Sequence, residues 1–347
     1  MKIKSLMFGT FFVCTAHAGN VIAAADEGHV SPVISTATTA TSMFGGFNQP
    51  RRHSGKLGPN EDFFFSTNIG DGISTPKSMY GGVFDGHGGK KASELANKEM
   101  HLHIAMNPYY KQGNIRQALL DSFNEVDLMC NEFPNRDGTT ATVALIDSNS
   151  TLWLANVGDS RAILCNVEND QASVISETHD HKASDAQERV RVLASPGGKI
   201  ENDRLGGFLA ITRALGNFEK NYGMCQLGDN QKAAGLISVP EITEINLNSV
   251  AGKKFVIIAS DGVWDTISSK MACELTAQQL TAGGSPEKAA EQLILNTVNI
   301  EVEKLIDSAK NVSEADKSDT QKRSLLKSAW MDYMPADDCT AVVITVN

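Results

Sequence analysis

The feature that most constrains this chain is where its acids fall relative to its apolar runs. Asp85 closes the apolar stretch Ser78 to Phe84, and Asp261 closes Lys254 to Ser260. The second stretch is apolar nearly throughout, as a strand buried on both faces is. Glu61 and Asp62 open the segment Phe63-Phe64-Phe65, and Asp337 and Asp338 stand just before the final run, Ala341 to Val346. In an antiparallel sheet the end of one strand lies beside the start of its neighbour, so these carboxylates can meet at one sheet edge. Crowded carboxylates repel and raise one another's pKa. A divalent cation removes that penalty, and an oxygen-only ligand set favours Mg²⁺ or Mn²⁺ over zinc. Gly86 and Gly262 directly follow two of the acids, where the lack of a side chain lets a backbone carbonyl approach an ion. A single Asp-Gly is more simply a turn; the recurrence of acids at strand ends is what argues for a site.

The rest of the chain supplies a framework for such a sheet. Thr140 to Ile146 and Thr151 to Val157 flank Asp147-Ser148-Asn149-Ser150 as a hairpin. Arg161 to Cys165 and Phe208 to Ile211 read as further strands. Lys91 to Met106 reads as a helix, and Asn114 caps a second whose apolar face is Ile115, Leu119, Phe123 and Val126. Helices follow from Met271 to Leu280 and from Pro286 onward, the latter opened by Ser285 as cap. Many strands with grouped helices predict sheet packed on sheet with helices outside.

The N-terminus carries a different signal. Lys2 and Lys4 precede a short apolar run, Leu6 to Val13, and small residues follow at Ala16-His17-Ala18 and Ala23-Ala24-Ala25. This pattern predicts a secretory signal peptide over residues 1–25 and a protein that enters the secretory pathway. Residues 26–54, rich in Ser, Thr, Ala and Gly, read as a linker or N-terminal arm. No stretch has the length of a stable membrane span. The scattered cysteines beyond Cys14 lack any CxxC spacing and read as buried free thiols. A net charge of −10 argues against nucleic acid as a partner, and no phosphate-cradling G-x-x-x-x-G-K-[ST] motif is present.

The acidic motifs, taken in order, resemble those of the type 2C, metal-dependent protein serine/threonine phosphatases. The matching pieces are Asn60-Glu61-Asp62, Val83-Phe84-Asp85-Gly86-His87-Gly88-Gly89, Gly138-Thr139-Thr140-Ala141 and Ala155-Asn156-Val157-Gly158-Asp159-Ser160-Arg161. They continue with Asp180-His181-Lys182, Thr212-Arg213-Ala214-Leu215-Gly216, Ser260-Asp261-Gly262-Val263-Trp264-Asp265 and Asp337-Asp338-Cys339-Thr340. The resemblance runs from about residue 55 to 347. It implies an α+β fold, a four-layer α-β-β-α sandwich of two antiparallel sheets, with two Mn²⁺ or Mg²⁺ ions at one edge. It further implies that Asp85 bridges the ions, that Glu61 and the Gly86 carbonyl bind one, and that Asp261 and Asp337 bind the other. Asp62 stands behind them, holding metal-bound water. The reaction it implies is hydrolysis of phosphoserine and phosphothreonine in proteins by a metal-activated water, with His87 as general acid. Asp159, Ser160, Arg161, Asp180, His181 and Lys182 are expected to be scaffold, and the chain is expected to act as a monomer on phosphorylated protein substrates.

Several positions depart from the family pattern. The arginine that usually grips the substrate phosphate, four residues before the first-motif glutamate, is Leu57, leaving Lys56 as the nearest candidate for phosphate binding; lysine lacks the bidentate fork. The aspartate that usually follows Arg-Ala-Leu-Gly is Asn217. A weaker third metal position would have Asn135 in place of an acid, leaving Asp137 and Asp265 as its candidates. Residues 300–332 read as a charged helical insertion. These departures keep alternatives in view: a secreted pseudophosphatase acting as a binding module, and a hydrolase of small phosphoesters.

Overall fold

The computed structural model describes residues 44–49, 52–53, 56–57, 60–70, 78–132, 137–218, 232–311 and 337–346. The region expected to be a signal peptide, 1–25, lies outside these residues. Two five-stranded antiparallel sheets dominate. One runs, in spatial order, Phe44–Gln49, Cys339–Val346, Lys253–Ala259, Arg161–Glu168, Gln171–Glu177. The other runs Glu241–Asn246, Thr151–Val157, Ala141–Ile146, Ser78–Phe84, Phe63–Ile69.

Side-chain alternation along these strands builds the layers. Val83, Leu152, Leu154, Ala162, Leu164, Val256, Ile258, Val342 and Ile344 fill the space between the sheets. Their neighbours face outward on either side. Ile163, Phe255, Ile257, Ala341 and Val343 meet the helices Ser269–Thr281 and Pro286–Asn311. Tyr80, Phe84, Val143, Leu145 and Ala155 meet the helices Lys91–Met106 and Ile115–Met129. Central strands are therefore apolar on both faces, as Lys253–Ala259 reads in sequence, and the result is the four-layer helix–sheet–sheet–helix order. The Asn114 side chain caps its helix by accepting from Gln117 N–H.

Three expectations need correction. The stretch 26–54 is not all linker: Phe44–Gln49 pairs along its length with the last strand, from Phe44 opposite Ile344 to Gln49 opposite Cys339. Phe-Gly-Gly-Phe-Asn-Gln lacks the alternation that marks a strand, yet Phe47 sits in the core under the helix Pro286–Asn311; residues 26–43 lie outside the described residues. Phe208–Ile211 makes only isolated bridges, Leu205 to Leu209 and Lys182 to Ile211, rather than a strand. The helix opened by Pro286 continues unbroken to Asn311, so residues 300–311 of the expected insertion extend it; residues 312–336 lie outside the described residues.

Phe47 tests the first correction. Phe47→Ala is expected to lower unfolding free energy by about 3 kcal/mol in urea denaturation, the cost of truncating a packed core aromatic. An unchanged denaturation midpoint would return residues 44–49 to the status of a loose arm.

Candidate metal centre and active site

Motifs distant in sequence are stitched together by a small sheet beneath the site. Gly86–His87 pairs with Gly138–Thr139, which pairs in turn with Leu215–Gly216. The Asp85 backbone is held from both sides. Its carbonyl accepts from Thr140 N–H at 2.9 Å and from the Thr139 hydroxyl at 3.0 Å, and its N–H donates to Thr140 Oγ1 at 3.1 Å. Thr140 Oγ1 lies 2.7 Å from Ser160 Oγ, tying the fourth motif to the third.

Gly86 donates its N–H to the Glu61 carbonyl at 3.1 Å, and Ser93 Oγ donates to the same oxygen at 2.6 Å. A Cβ on Gly86 would lie 2.5 Å from both acceptor and hydroxyl, so only glycine fits. Glu61 N–H donates to Asp338 Oδ2 at 2.9 Å, locking the first motif to the last. Asp338 N–H donates to Asp337 Oδ1 at 2.8 Å. Ser260 and Thr340 exchange bonds, Ser260 N–H to Thr340 O at 3.1 Å and Thr340 N–H to Ser260 Oγ at 3.0 Å. A side chain on Gly262 would collide with the Asp338 carbonyl.

These ties bring Glu61, Asp85, Gly86, His87, Asp261 and Asp337 to one cavity of about 400 Å³. Asp62 is buried just behind, 2% exposed. Asp159 also lines the cavity, although the sequence reading placed it in the scaffold. The signal was available: Asp159 follows the strand Thr151–Val157 much as Asp85 and Asp261 follow theirs. Asp338 was likewise missed as the clamp on Glu61.

The electrostatics suit a cation. Burial pushes Asp85 well above the ordinary carboxylate range, and the charges of Asp62, Asp261, Asp159 and Asp337 push it further. Asp62 is raised by burial and by Asp338. Burial and Asp337 raise Asp261 to about 6. Asp159 rises to about 7 through burial and Asp261, against the pull of Lys182. The donors are carboxylates and the Gly86 carbonyl, so the set fits hard divalent cations such as Mg²⁺ or Mn²⁺.

His87 Nε2 lies 3.0 Å from Asn217 Oδ1. The amide oxygen accepts, which places a proton on Nε2 and turns Nδ1 away from Asn217. Burial lowers the His87 pKa. Asn217 itself has φ of 60°, a left-handed conformation that Asn tolerates, and donates its N–H to the Asp137 carbonyl at 2.9 Å.

The candidates for a third metal position are otherwise engaged. Asp137 accepts from Ala92 N–H at 2.9 Å and from Lys91 N–H at 3.3 Å, so its carboxylate serves the N-terminus of the helix Lys91–Met106. Asp265 is exposed and pairs with Lys182 Nζ at 3.1 Å. Neither is among the residues that line the cavity. Asn135 lies outside the described residues. Lys56 and Leu57 form a two-residue strand opposite Arg52–His53.

His179, His181 and Glu241 form a second cluster close enough to suggest a metal. The tautomer of His181 argues against it. Gly158 N–H donates to His181 Nδ1 at 3.2 Å, so Nδ1 carries the lone pair and Nε2 the proton. That proton points to Glu241 Oε2 at 3.4 Å, leaving Nε2 no lone pair for an ion. Burial also pushes the His181 pKa down to about 3, so the ring stays neutral. The motif Asp180-His181-Lys182 is thus a brace, with Asp180 gripping Arg161 through two bonds of 2.9 and 2.8 Å.

The raised carboxylates predict an unusual pH dependence for metal-free protein. Asp159 and Asp261, near 7 and 6 when folded, titrate near 3.9 when unfolded. Between those values the folded state holds more protons, so stability falls as pH rises from about 4 to 7.5. Added Mn²⁺ is expected to erase that slope and to release protons on binding near pH 6. Thermal melts with and without EDTA across this range read the effect; a flat metal-free profile would mean that these carboxylates do not share one site.

Comparison with known proteins agrees with this geometry. A family profile for protein phosphatase 2C matches residues 52–306. The chain is 31% identical over 286 residues to probable protein phosphatase 2C 59 of Arabidopsis thaliana, covering 77% of this chain and 84% of that protein. It is 32% identical over 218 residues to protein phosphatase 2C homolog 2 of Saccharomyces cerevisiae, covering 61% of this chain and 45% of the yeast protein. The match to a probable protein phosphatase 2C of Caenorhabditis elegans covers 60% of that protein, so the chain spans only 45–60% of the length of these longer relatives. Among solved structures, a serine-threonine phosphatase 2C from Toxoplasma gondii superposes with a TM-score of 0.63 over 91% of this chain and 99% of that one, at 19% identity, and shares its fold. With a profile matching well over half its length and relatives above 30% identity, the chain belongs to the protein phosphatase 2C family.

Proposed function

We propose that this chain hydrolyses phosphoserine and phosphothreonine monoesters in proteins, with two Mg²⁺ or Mn²⁺ ions held in the carboxylate cavity. The observation that carries the reading is the convergence of Glu61, Asp85, Asp261 and Asp337, beside His87, in one cavity. Asp85, Glu61, the Gly86 carbonyl, Asp261 and Asp337 would hold the ions, with Asp62 behind them. When bound, the ions supply an ionised water at neutral pH and screen the charge of the phosphoryl oxygens.

The remaining work falls to the chain. Thr139 and Thr140 fix the backbone of Asp85, so its carboxylate is positioned before substrate arrives. Asn217 holds one ring nitrogen of His87, leaving Nδ1 to carry the proton that the serine or threonine oxygen needs as it leaves. Burial resists charging of that ring, and the incoming phosphate dianion offsets the resistance.

A second reading, a pseudophosphatase that binds without turnover, is motivated by Leu57 and Asn217. The retained carboxylate set weighs against it, since buried acids crowded against one another are costly unless an ion offsets their charge. The N-terminal pattern of residues 1–25 supports delivery into the secretory pathway, and a mature chain beginning near residue 26 on mass spectrometry of the expressed protein would bear that out.

The deciding measurement is turnover of a phosphothreonine peptide with Mn²⁺ or Mg²⁺, then with EDTA. Turnover is expected to vanish on chelation, and Asp261→Asn is expected to lower kcat by about a hundredfold or more. Metal binding without turnover in a folded protein would favour the pseudophosphatase instead.

A further inference from the structure

The carboxylate cavity has one cationic side chain on its lining among the described residues, and it comes from none of the acidic motifs. Arg204 lines the cavity with Glu61, Asp85, Asp159, Asp261 and Asp337. Its placement is built rather than incidental. Ile200–Glu201 and Arg204–Leu205 form a hairpin whose two tip residues, Asn202 and Asp203, have φ of 49° and 56°. Two successive left-handed residues make the tight turn that such hairpins favour. Arg189 Nη1 holds the tip through Asp203 at 3.0 Å. Leu205 is fully buried with Val192, Ile211, Ala214 and Leu236, and strand alternation then turns Arg204 to the other side.

The guanidinium is anchored but not neutralised. Arg204 Nη1 donates to the Phe208 carbonyl at 2.8 Å, and no carboxylate among the described residues pairs with it. A guanidinium fixed by one edge keeps its other donors for an anion, in the planar fork that suits phosphate. Leu57, by contrast, offers neither charge nor donor where the family pattern has its phosphate-gripping arginine.

We propose that Arg204 grips the substrate phosphoryl group in this chain, supplying the guanidinium that Leu57 lacks. The inference rests on the phosphatase reading. It makes phosphate recognition a property of the hairpin 200–205 rather than of the first motif, and it gives the cavity a positive wall opposed to its acids.

The test is a double-mutant cycle on the Mn²⁺-loaded protein with two readouts: turnover of a phosphothreonine peptide, and fluorescence-anisotropy binding of the matching thiophosphothreonine peptide, which is hydrolysed slowly. Arg204→Ala is expected to weaken binding and kcat/KM by about tenfold to a hundredfold, the worth of a charge-assisted bond to phosphate. Arg204→Lys is expected to recover part of the loss. Leu57→Arg in the Arg204→Ala background is expected to recover most of it, which a merely structural role for Arg204 does not allow. Unchanged binding by Arg204→Ala, failure of Leu57→Arg to rescue, or a loss that appears only with Lys56→Ala would each overturn the proposal. Absence of turnover by the parent protein would sink the hydrolase reading, while the binding arm would still decide whether Arg204 holds the phosphate.

Discussion

Mutual repulsion among buried carboxylates is the constraint on which the rest of this structure depends. Asp62, Asp85, Asp159 and Asp261 all have pKa values driven upward by burial and by one another. Left to itself such a cluster would spread apart or stay protonated. The surrounding chain prevents the first outcome largely with bonds involving its backbone, while Lys182 Nζ, 3.7 Å from Asp159 Oδ2, offsets part of the charge. Thr139 and Thr140 hold Asp85, Asp338 holds Glu61, and Ser260 and Thr340 hold each other beside Asp261. Most of the motif residues that carry no chemistry of their own serve this purpose, and the sandwich supplies the rigid strand ends from which they act.

The same logic separates the two clusters of potential ligands. The His179–His181–Glu241 group has the residue types of a metal site, but one backbone N–H decides the tautomer of His181 and removes it from contention. In the acidic cavity the carboxylates instead crowd one another, the condition that a divalent cation relieves. Proximity of ligand-type side chains therefore says less than the direction from which their lone pairs are already used.

Much of this was legible in sequence because the relevant signals are local. Apolar runs of strand length, each meeting an acid and often a glycine, located Glu61, Asp85, Asp261 and Asp337, and Asn114 marked a helix start. What escaped depended on contacts across long separations. Phe44–Gln49 is a strand because the last strand offers it an edge and a helix covers Phe47, not because its glycine-rich sequence prefers to be extended. Asp137 sits at a spacing that suits a metal, yet its carboxylate goes to the amides of a helix 46 residues away. Arg204 carries no motif signal at all, since only the hairpin turn and the burial of Leu205 direct it toward the cavity.

The bond from Glu61 to Asp338 spans 277 residues, and the pairing of Phe44–Gln49 with Cys339–Val346 joins segments similarly far apart. Topology of this kind has high contact order and folds slowly, because distant segments must be closed together before they stabilise anything. A ribosome that has made everything up to residue 336 has therefore made a chain with neither Asp337 in place nor an edge for its first strand. Assembly of the cation site therefore waits on the segment 337–346, which brings both the clamp on Glu61 and the edge that Phe44–Gln49 pairs with.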